Sequence, residues 1–242
     1  MDEESTLDGR VALITGGSRG IGFAAARELG RRGATVVLVG RDEHRARQAA
    51  EVLQAEQIDA VGFGCDVADP VAVEHLFDAL GSLSAVDIPG LSAGVMAERM
   101  SKTVRTDPEE WRRVLGTNLD GAFLVMRAVV PGMVERRSGR VITVSACLGR
   151  FTGPGLLGGL APYRVSKAAL NALTRNLAAE VQFGKRGVLV DAMCPNHCRT
   201  DMGGADAPRS AEEGADTIVW LATRPESTET GLLWEDRQIV PW

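Results

Sequence analysis

"RVALITGGSRGIGFAAARELG", residues 10–30, reads as a short apolar run, a cluster of glycines and an amphipathic helical pattern. The run 10–15 has the unbroken apolar character of a strand buried on both faces. Gly16, Gly20 and Gly22 fall between that run and the helical pattern. Glycines there permit a tight turn, let the backbone approach a ligand closely, and leave free N–H groups at a helix N-terminus. A pyrophosphate suits such a turn. The strand before it and the helix after it supply the context that a bare glycine pattern lacks.

The same alternation continues along the chain. "TVVLVG" (35–40) is a second buried strand, and "EHRARQAAEVLQAE" after it a charged helix. "AVGFGCDV" (60–67) reads as a third strand. Asp69-Pro70 and Asp107-Pro108 are helix-start signals, an acid at the N-cap and proline in the first turn. They predict one helix to about Leu80 and a long helical region to about Arg137. "VDIPGLSAG" (86–94) occupies the place of a fourth strand, although Pro89 and Gly90 interrupt it. "GRVITVS" (139–145) and "GVLVDAMCP" (187–195) are further strands, separated by a helix from Tyr163 through "NALTRNLAAEVQ". Strands alternating with helices predict an α/β fold of the Rossmann type, a doubly wound parallel sheet flanked by helices. One domain over 10–242 follows a flexible tail at 1–9.

A chain of 242 residues can bury a core without metals or disulfides. Its 27 basic and 32 acidic residues give a net charge of −5, which is no electrostatic footprint for nucleic acid. The start "MDEESTLDGR" is too polar for a signal peptide or membrane anchor. No uninterrupted apolar run approaches the roughly 18 residues of a spanning helix. Cys65, Cys147, Cys194 and Cys198 are few and irregularly spaced, which suits reduced thiols in a cytoplasmic protein. "CPNHC" (194–198) lacks a second ligand pair, so it reads as a loop and no metal is expected. His44 and His75 lie on charged helices and receive no role.

The end of the second strand selects the dinucleotide. NAD-binding turns place an acid there for the ribose 2′-hydroxyl. Here Gly40 and Arg41 occupy that place, and Arg19 stands in the glycine turn. Two guanidinium groups suit a 2′-phosphate through forked, charge-assisted bonds. NADP(H) is therefore the expected cofactor.

Taken together, Thr15-Gly-Gly-Ser-Arg-Gly-Ile-Gly22, Asp66-Val67, Ala93-Gly94, Asn118, Tyr163-x-x-x-Lys167, Pro195 and Thr200 resemble the short-chain dehydrogenase/reductase family over nearly the whole chain. "RTDMGGADAPRSAEEGADTIVWLAT" and the terminal "IVPW" are similar to its carbonyl-reductase-type members. The resemblance implies that Gly16, Ser18, Arg19, Gly20, Ile21, Gly22, Arg41, Asp66, Val67, Ala93, Gly94, Tyr163, Lys167, Pro195 and Thr200 hold the cofactor. Asp66 would lie by the adenine and Thr200 near the nicotinamide end. It implies a catalytic set of Tyr163, Lys167 and Asn118, the last holding a proton-relay water. Tyr163, the single tyrosine of the chain, would protonate a carbonyl oxygen as hydride arrives. A free phenol has a pKa near 10. Lowering it by about three units needs about 4 kcal/mol, roughly what one ammonium about 4 Å away supplies at an effective dielectric near 20. Lys167, one helical turn on, is placed to do this and to bind the ribose.

The chain departs from the family at the substrate end. Relatives carry a serine at the end of the fifth strand to bond the substrate oxygen. With Gly149 as the marker, that position is Ala146, and Ser145 falls one step earlier. One step along a strand turns a side chain to the opposite face, so Ser145 serves as the catalytic serine only if a bulge resets the register. Leu91 and Ser92 replace two asparagines, and Asn196-His197-Cys198 follows Pro195 where relatives have glycine. His197 is either a donor to substrate or a loop side chain that shapes the pocket. "GRFTGPGLLGGLAP" (149–162) either overhangs the site and offers apolar contact to a bulky substrate or is an ordinary flexible connection with no substrate role.

These features favour an NADPH-dependent reductase of a small-molecule ketone or aldehyde; the resemblance is compatible with a homodimer, a homotetramer or, as in some carbonyl reductases, a monomer. Two other readings stand beside it. One is a biosynthetic enzyme whose altered pocket catalyses cyclisation, dehydration or epimerisation with NADP(H) bound. The other is a cofactor-binding sensor without activity, which would have no use for a tuned phenol.

Overall fold

The computed structural model describes residues 6–98, 102–225 and 229–242. Four βα units open the chain: β1 Val11–Thr15, α1 Gly20–Arg31, β2 Thr35–Gly40, α2 Glu43–Ala55, β3 Ala60–Gly64, α3 Pro70–Leu80, β4 Ile88–Leu91 and α4 Pro108–Leu115. Then come α5 Gly121–Arg136, β5 Gly139–Val144, α6 Ala161–Glu180, β6 Val188–Met193, α7 Ala211–Thr223, β7 Leu233–Glu235 and β8 Gln238–Val240. The strands form one sheet in the order β3-β2-β1-β4-β5-β6-β7-β8. All neighbours pair in parallel except β7 and β8, which form an antiparallel hairpin.

The strand order reverses between β1 and β4, so a crevice opens beyond their C-terminal ends, where such sheets bind ligands. The sheet is buried on both faces. Ala25, Leu29, Leu53 and Ile218 of α1, α2 and α7 cover one side. Leu76, Val125, Met133 and Leu170 of α3, α5 and α6 cover the other. Both proline-start helices form as their sequences predict: the Asp69 carboxylate accepts from Val71 N–H and the Asp107 carboxylate from Glu109 N–H.

Several features differ from the sequence expectation. The interrupted stretch 86–94 is a strand, but only Ile88–Leu91, and its pairing to β5 begins at Gly90, one residue after the proline. The helical region 108–136 is continuous but contains a π turn at Gly116–Asp120, closed by Gly121 N–H on the Gly116 carbonyl. By length and composition this helix could cross a bilayer. Here it is a core helix, with Val125, Val129 and Met133 packed on the sheet. Of the expected tail, residues 1–5 lie outside the described residues. Leu7 is not loose: it is buried, and its N–H donates to the Arg32 carbonyl at 2.6 Å.

Candidate active site

The glycine turn backs onto the loop that follows β4. Ala93 N–H donates to Thr15 Oγ1 at 3.1 Å. Gly16 has φ +65°, and a Cβ there would stand 3.0 Å from the Ala93 backbone. A Cβ on Gly22 would meet the Gly16 carbonyl oxygen at 2.5 Å, closer than any side chain tolerates. Arg19 makes no side-chain cap to α1, so the first-turn N–H groups remain for a ligand. A cavity of about 870 Å³ runs from Gly16–Gly22 past Asp66, Val67, Ala93 and Gly94 to Ala146, Tyr163, Lys167, Pro195 and Thr200. A backbone cradle at a helix N-terminus, opening into a cavity of this volume, fits a dinucleotide.

At the adenosine end, β2 terminates at Gly40, with Ser18 packed over it, so no acid occupies the strand end. Arg41 is exposed on the cavity wall and makes no ion pair among the described residues. Arg19 is also exposed, and its guanidinium pairs with Asp201 across the mouth. Asp66 borders the cavity while one carboxylate oxygen caps its own turn, accepting from Ala68 N–H at 3.0 Å.

At the reactive end, α6 presents Tyr163 and Lys167 on one face, with the Lys167 ammonium 5.8 Å from the centre of the Tyr163 ring. Lys167 is buried, and its Nζ donates to the Val144 carbonyl at the end of β5 at 2.7 Å. Burial pushes its pKa down to about 8. The Tyr163 hydroxyl has no hydrogen-bond partner among the described residues, and the residue lines the cavity. Its phenol is pushed up, first by burial and then by Cys194 and Cys147. The expected depression of the phenol by Lys167 does not occur in this geometry: loss of hydration disfavours the phenolate more than an ammonium already bonded to a carbonyl favours it.

Asn118 is fully buried in the π turn. Its Oδ1 accepts from Val95 N–H (2.7 Å), and its Nδ2 donates to the Val95 carbonyl and to Ser166 Oγ, each at 3.0 Å. Ser166 Oγ in turn donates to the Tyr163 carbonyl at 2.8 Å. The π turn therefore clamps the loop after β4 to the helix that carries the tyrosine. Single π turns recur at functional sites.

The serine question resolves geometrically. Ala146 packs with Tyr163 and Val114 in a small apolar cluster. Ser145 is buried, and its hydroxyl donates to Asn171 Oδ1 on α6. Ser145 borders the cavity, but its hydroxyl proton is committed to Asn171, and the Ala146 methyl group packs with the phenol ring. Leu91 has joined the core, while Ser92 borders the cavity, its Oγ 3.2 Å from where a Cβ on Gly22 would stand. Asn196 takes over the missing glycine's backbone with φ +60°, the left-handed region asparagine tolerates best. His197 is exposed on the cavity wall with its ring nitrogen 2.8 Å from the Gly203 carbonyl, which makes it a tie for the 195–204 loop. Thr200 caps the same loop, with its Oγ1 accepting from Gly203 N–H, and its methyl packs near Gly20. Of the two readings of the segment 149–162, the structure favours the connection: only Leu160 packs on the Tyr163 cluster, and none of its residues lines the cavity. The segment instead ties to the C-terminus, through Phe151 N–H on the Trp242 carbonyl (3.2 Å), and exposes Phe151, Leu156 and Leu157.

Sequence reading passed over Ser166, Asn171, Cys147 and Cys194, because each acts through a partner distant in the chain. It also left the capping box Ser210-x-x-Glu213, which starts α7, unused; that four-residue pattern was a legible signal.

Residues 10–220 match the profile of a family described as short chain dehydrogenase. The chain is 37% identical over 202 residues to the 3-oxoacyl-(acyl-carrier-protein) reductase FabG of Pseudomonas aeruginosa, covering 81% of this chain and 77% of that protein. It is 34% identical over 241 residues to FabG of Escherichia coli, covering 93% and 94%. The short chain dehydrogenase pigC of Monascus ruber is 32% identical over 237 residues, covering 91% and 76%. Among solved structures, a gluconate 5-dehydrogenase from Burkholderia cenocepacia J2315, in complex with NADP and tartrate, superposes with a TM-score of 0.86 at 27% identity, covering 96% of this chain and 95% of that one.

Proposed function

The chain belongs to the short-chain dehydrogenase family of NAD(P)-dependent oxidoreductases, and from that premise we propose that it reduces a ketone or aldehyde with NADPH. The observation that carries this reading is the presence of Tyr163 and Lys167 on the same cavity wall as the glycine turn. Bound NADPH supplies the hydride. The α1 N–H groups and the Gly16–Gly22 backbone hold the pyrophosphate, and Arg41 meets the 2′-phosphate, with Arg19 shared between it and Asp201. Tyr163 is protonated at neutral pH and faces the cavity as the proton donor to the carbonyl oxygen. Burial raises its pKa and weakens it as an acid, so the transfer depends on stabilising the phenolate. The Lys167 ammonium favours the phenolate left behind, and loses that charge above about pH 8. Asn118 acts through Val95 and Ser166, fixing the tyrosine's helix against the β4 loop.

Substrate preference follows from what lines the reactive end. Ala146, Val95, Met96 and Leu148 line the cavity and surround Tyr163 with apolar surface. A carbonyl carried on a bulky apolar body fits there better than a sugar acid, whose hydroxyls would find few partners. The 3-oxoacyl substrates for which the FabG relatives are named are compatible with this class. A cytoplasmic setting and self-association belong to the same reading, the former supported by four unpaired cysteines.

Ala146 also keeps a second reading in view, a biosynthetic reaction that uses the bound cofactor without net reduction of a simple ketone. Incubation with NADPH and a graded series of aliphatic, aromatic and thioester-linked ketones, following loss of the reduced nicotinamide absorbance, separates the two. Consumption that rises with the apolar bulk of the ketone supports the reductase. Tight NADPH binding with no consumption across the series overturns it in favour of the second reading.

A further inference from the structure

Beyond Ala146 lie two thiols that the reductase reading leaves unused, Cys147 on the cavity wall and the buried Cys194. Cys147 follows β5 and Cys194 follows β6, strands that pair in parallel as far as Val144 and Met193. Past that last pair, Ser145 N–H still donates to the Met193 carbonyl at 2.7 Å, so the strand ends remain side by side where the thiols emerge. Of the four cysteines only Cys147 is not buried, and it lines the cavity. Each thiol is the largest influence on the other, Cys147 being held below the usual thiol range and Cys194 above it. Both lie near enough to Tyr163 to push its phenol up. A reachable thiol with thiolate character, backed by a second thiol, is the arrangement oxidants select. Cys65 and Cys198 lack these features: burial pushes both up, and the Cys198 thiol donates to the Pro195 carbonyl at 3.2 Å.

We propose that Cys147 and Cys194 form an oxidant-reactive dithiol at the substrate end of the cavity, which hydrogen peroxide closes to a disulfide that blocks the site. The Cys147 sulfur attacks one peroxide oxygen, the O–O bond breaks, and water leaves with the thiol proton. The resulting sulfenic acid is attacked by the Cys194 sulfur; the S–S bond forms, the S–O bond breaks, and a second water leaves. Two thiols and one peroxide become one disulfide and two waters. Cys147 opens a short 3-10 turn, Cys147–Gly149, whose far end is pressed on α6. A Cβ on Gly149 would stand 2.7 Å from Lys167 Cβ, and Leu148 packs on the Tyr163 cluster. Drawing Cys147 onto Cys194 therefore displaces the turn that abuts both Lys167 and Tyr163. The blocking effect rests on the reductase reading; the disulfide chemistry does not.

The full-length protein is treated with hydrogen peroxide, alkylated, and mapped by peptide mass without reduction. The expected product is a Cys147–Cys194 cross-link with Cys65 and Cys198 still alkylated, and dithiothreitol reverses it. In Cys194→Ser, dimedone is expected to trap Cys147 as the sulfenic acid instead. Carbonyl reduction by the oxidised wild type is expected to be lost and to return with dithiothreitol. Four alkylated thiols after peroxide, a cross-link between any other pair, or oxidation of Cys147 without a cross-link would overturn the dithiol. A Cys147–Cys194 cross-link that leaves reduction intact would overturn the block. Failure of the reductase reading is distinguishable from both, since the untreated protein would then consume no carbonyl whatever the mapping shows.

Discussion

Around Gly16 and Gly22 the cavity wall is backbone, while around Ala146, Tyr163 and Cys147 it is side chain. The first region tolerates almost no substitution, because an added Cβ on Gly22 collides with a carbonyl oxygen at 2.5 Å. The second departs from the resemblance, with a methyl group where a hydroxyl is called for and Asn196 where glycine is called for. A cofactor common to many enzymes is held by main-chain geometry, and substrate chemistry is left to side chains that change without disturbing it. The cofactor end of this protein therefore conforms to its family, and the reactive end does not.

The contrast can be broken at its strongest point first. Tyr163→Phe removes the acid but no cofactor contact of the glycine turn. Turnover should fall by about 100- to 10,000-fold, the usual worth of a positioned general acid, while NADPH affinity by fluorescence titration stays close to wild type. Near-native kcat in that variant removes Tyr163 from the chemistry. Next, Ala146→Ser returns a donor beside the phenol. One donor to a developing oxyanion is worth up to about 100-fold or more, so kcat on simple ketones should rise by as much as that. A rate unchanged in a folded variant means that the reactive end is organised around something other than the carbonyl oxygen.

Arg41→Asp tests the opposite end. Loss of a charge-assisted bond, plus repulsion of the 2′-phosphate, should weaken NADPH by about ten-fold or more and leave NADH less affected, read as the ratio of kcat/KM for the two cofactors. An unchanged ratio would move the 2′-phosphate to Arg19. The smallest effect concerns pH. The Lys167 pKa is lowered to about 8, so its ammonium is present below that pH and lost above it, whereas the raised phenol stays protonated throughout. Reduction should be level at neutral pH, fall to about half near pH 8 and continue downward, because one proton controls it. Lys167→Arg keeps the charge and should shift that alkaline limb upward, even though the poorer fit lowers the plateau. A limb that stays in place assigns it to another group.

Legibility followed the same division. The glycine turn, β2 from Thr35 to Gly40, and the two aspartate-proline helix starts could be read because each depends on local backbone chemistry. The register that puts Ala146 on Tyr163 followed from one glycine marker and the two-residue period of a strand. What escaped were properties set by contacts distant in the chain. Ser145 is spent on Asn171, and Asn118 is committed to Val95 and Ser166. Leu7 is drawn into the core by the Arg32 carbonyl. The direction of the Tyr163 shift also escaped, because helical spacing places an ammonium nearby but says nothing of how deeply the phenol is buried. Pro89 shows the converse case: a local warning against a strand is overridden where only Gly90 and Leu91 pair with β5.

A crystal structure with NADP+ bound tests the account most directly. It should place the nicotinamide ring beside the Tyr163 hydroxyl, with the ribose within reach of the Lys167 ammonium and the 2′-phosphate on Arg41. A nicotinamide turned away from Tyr163, or a dinucleotide whose pyrophosphate avoids the Gly16–Gly22 turn, would contradict it.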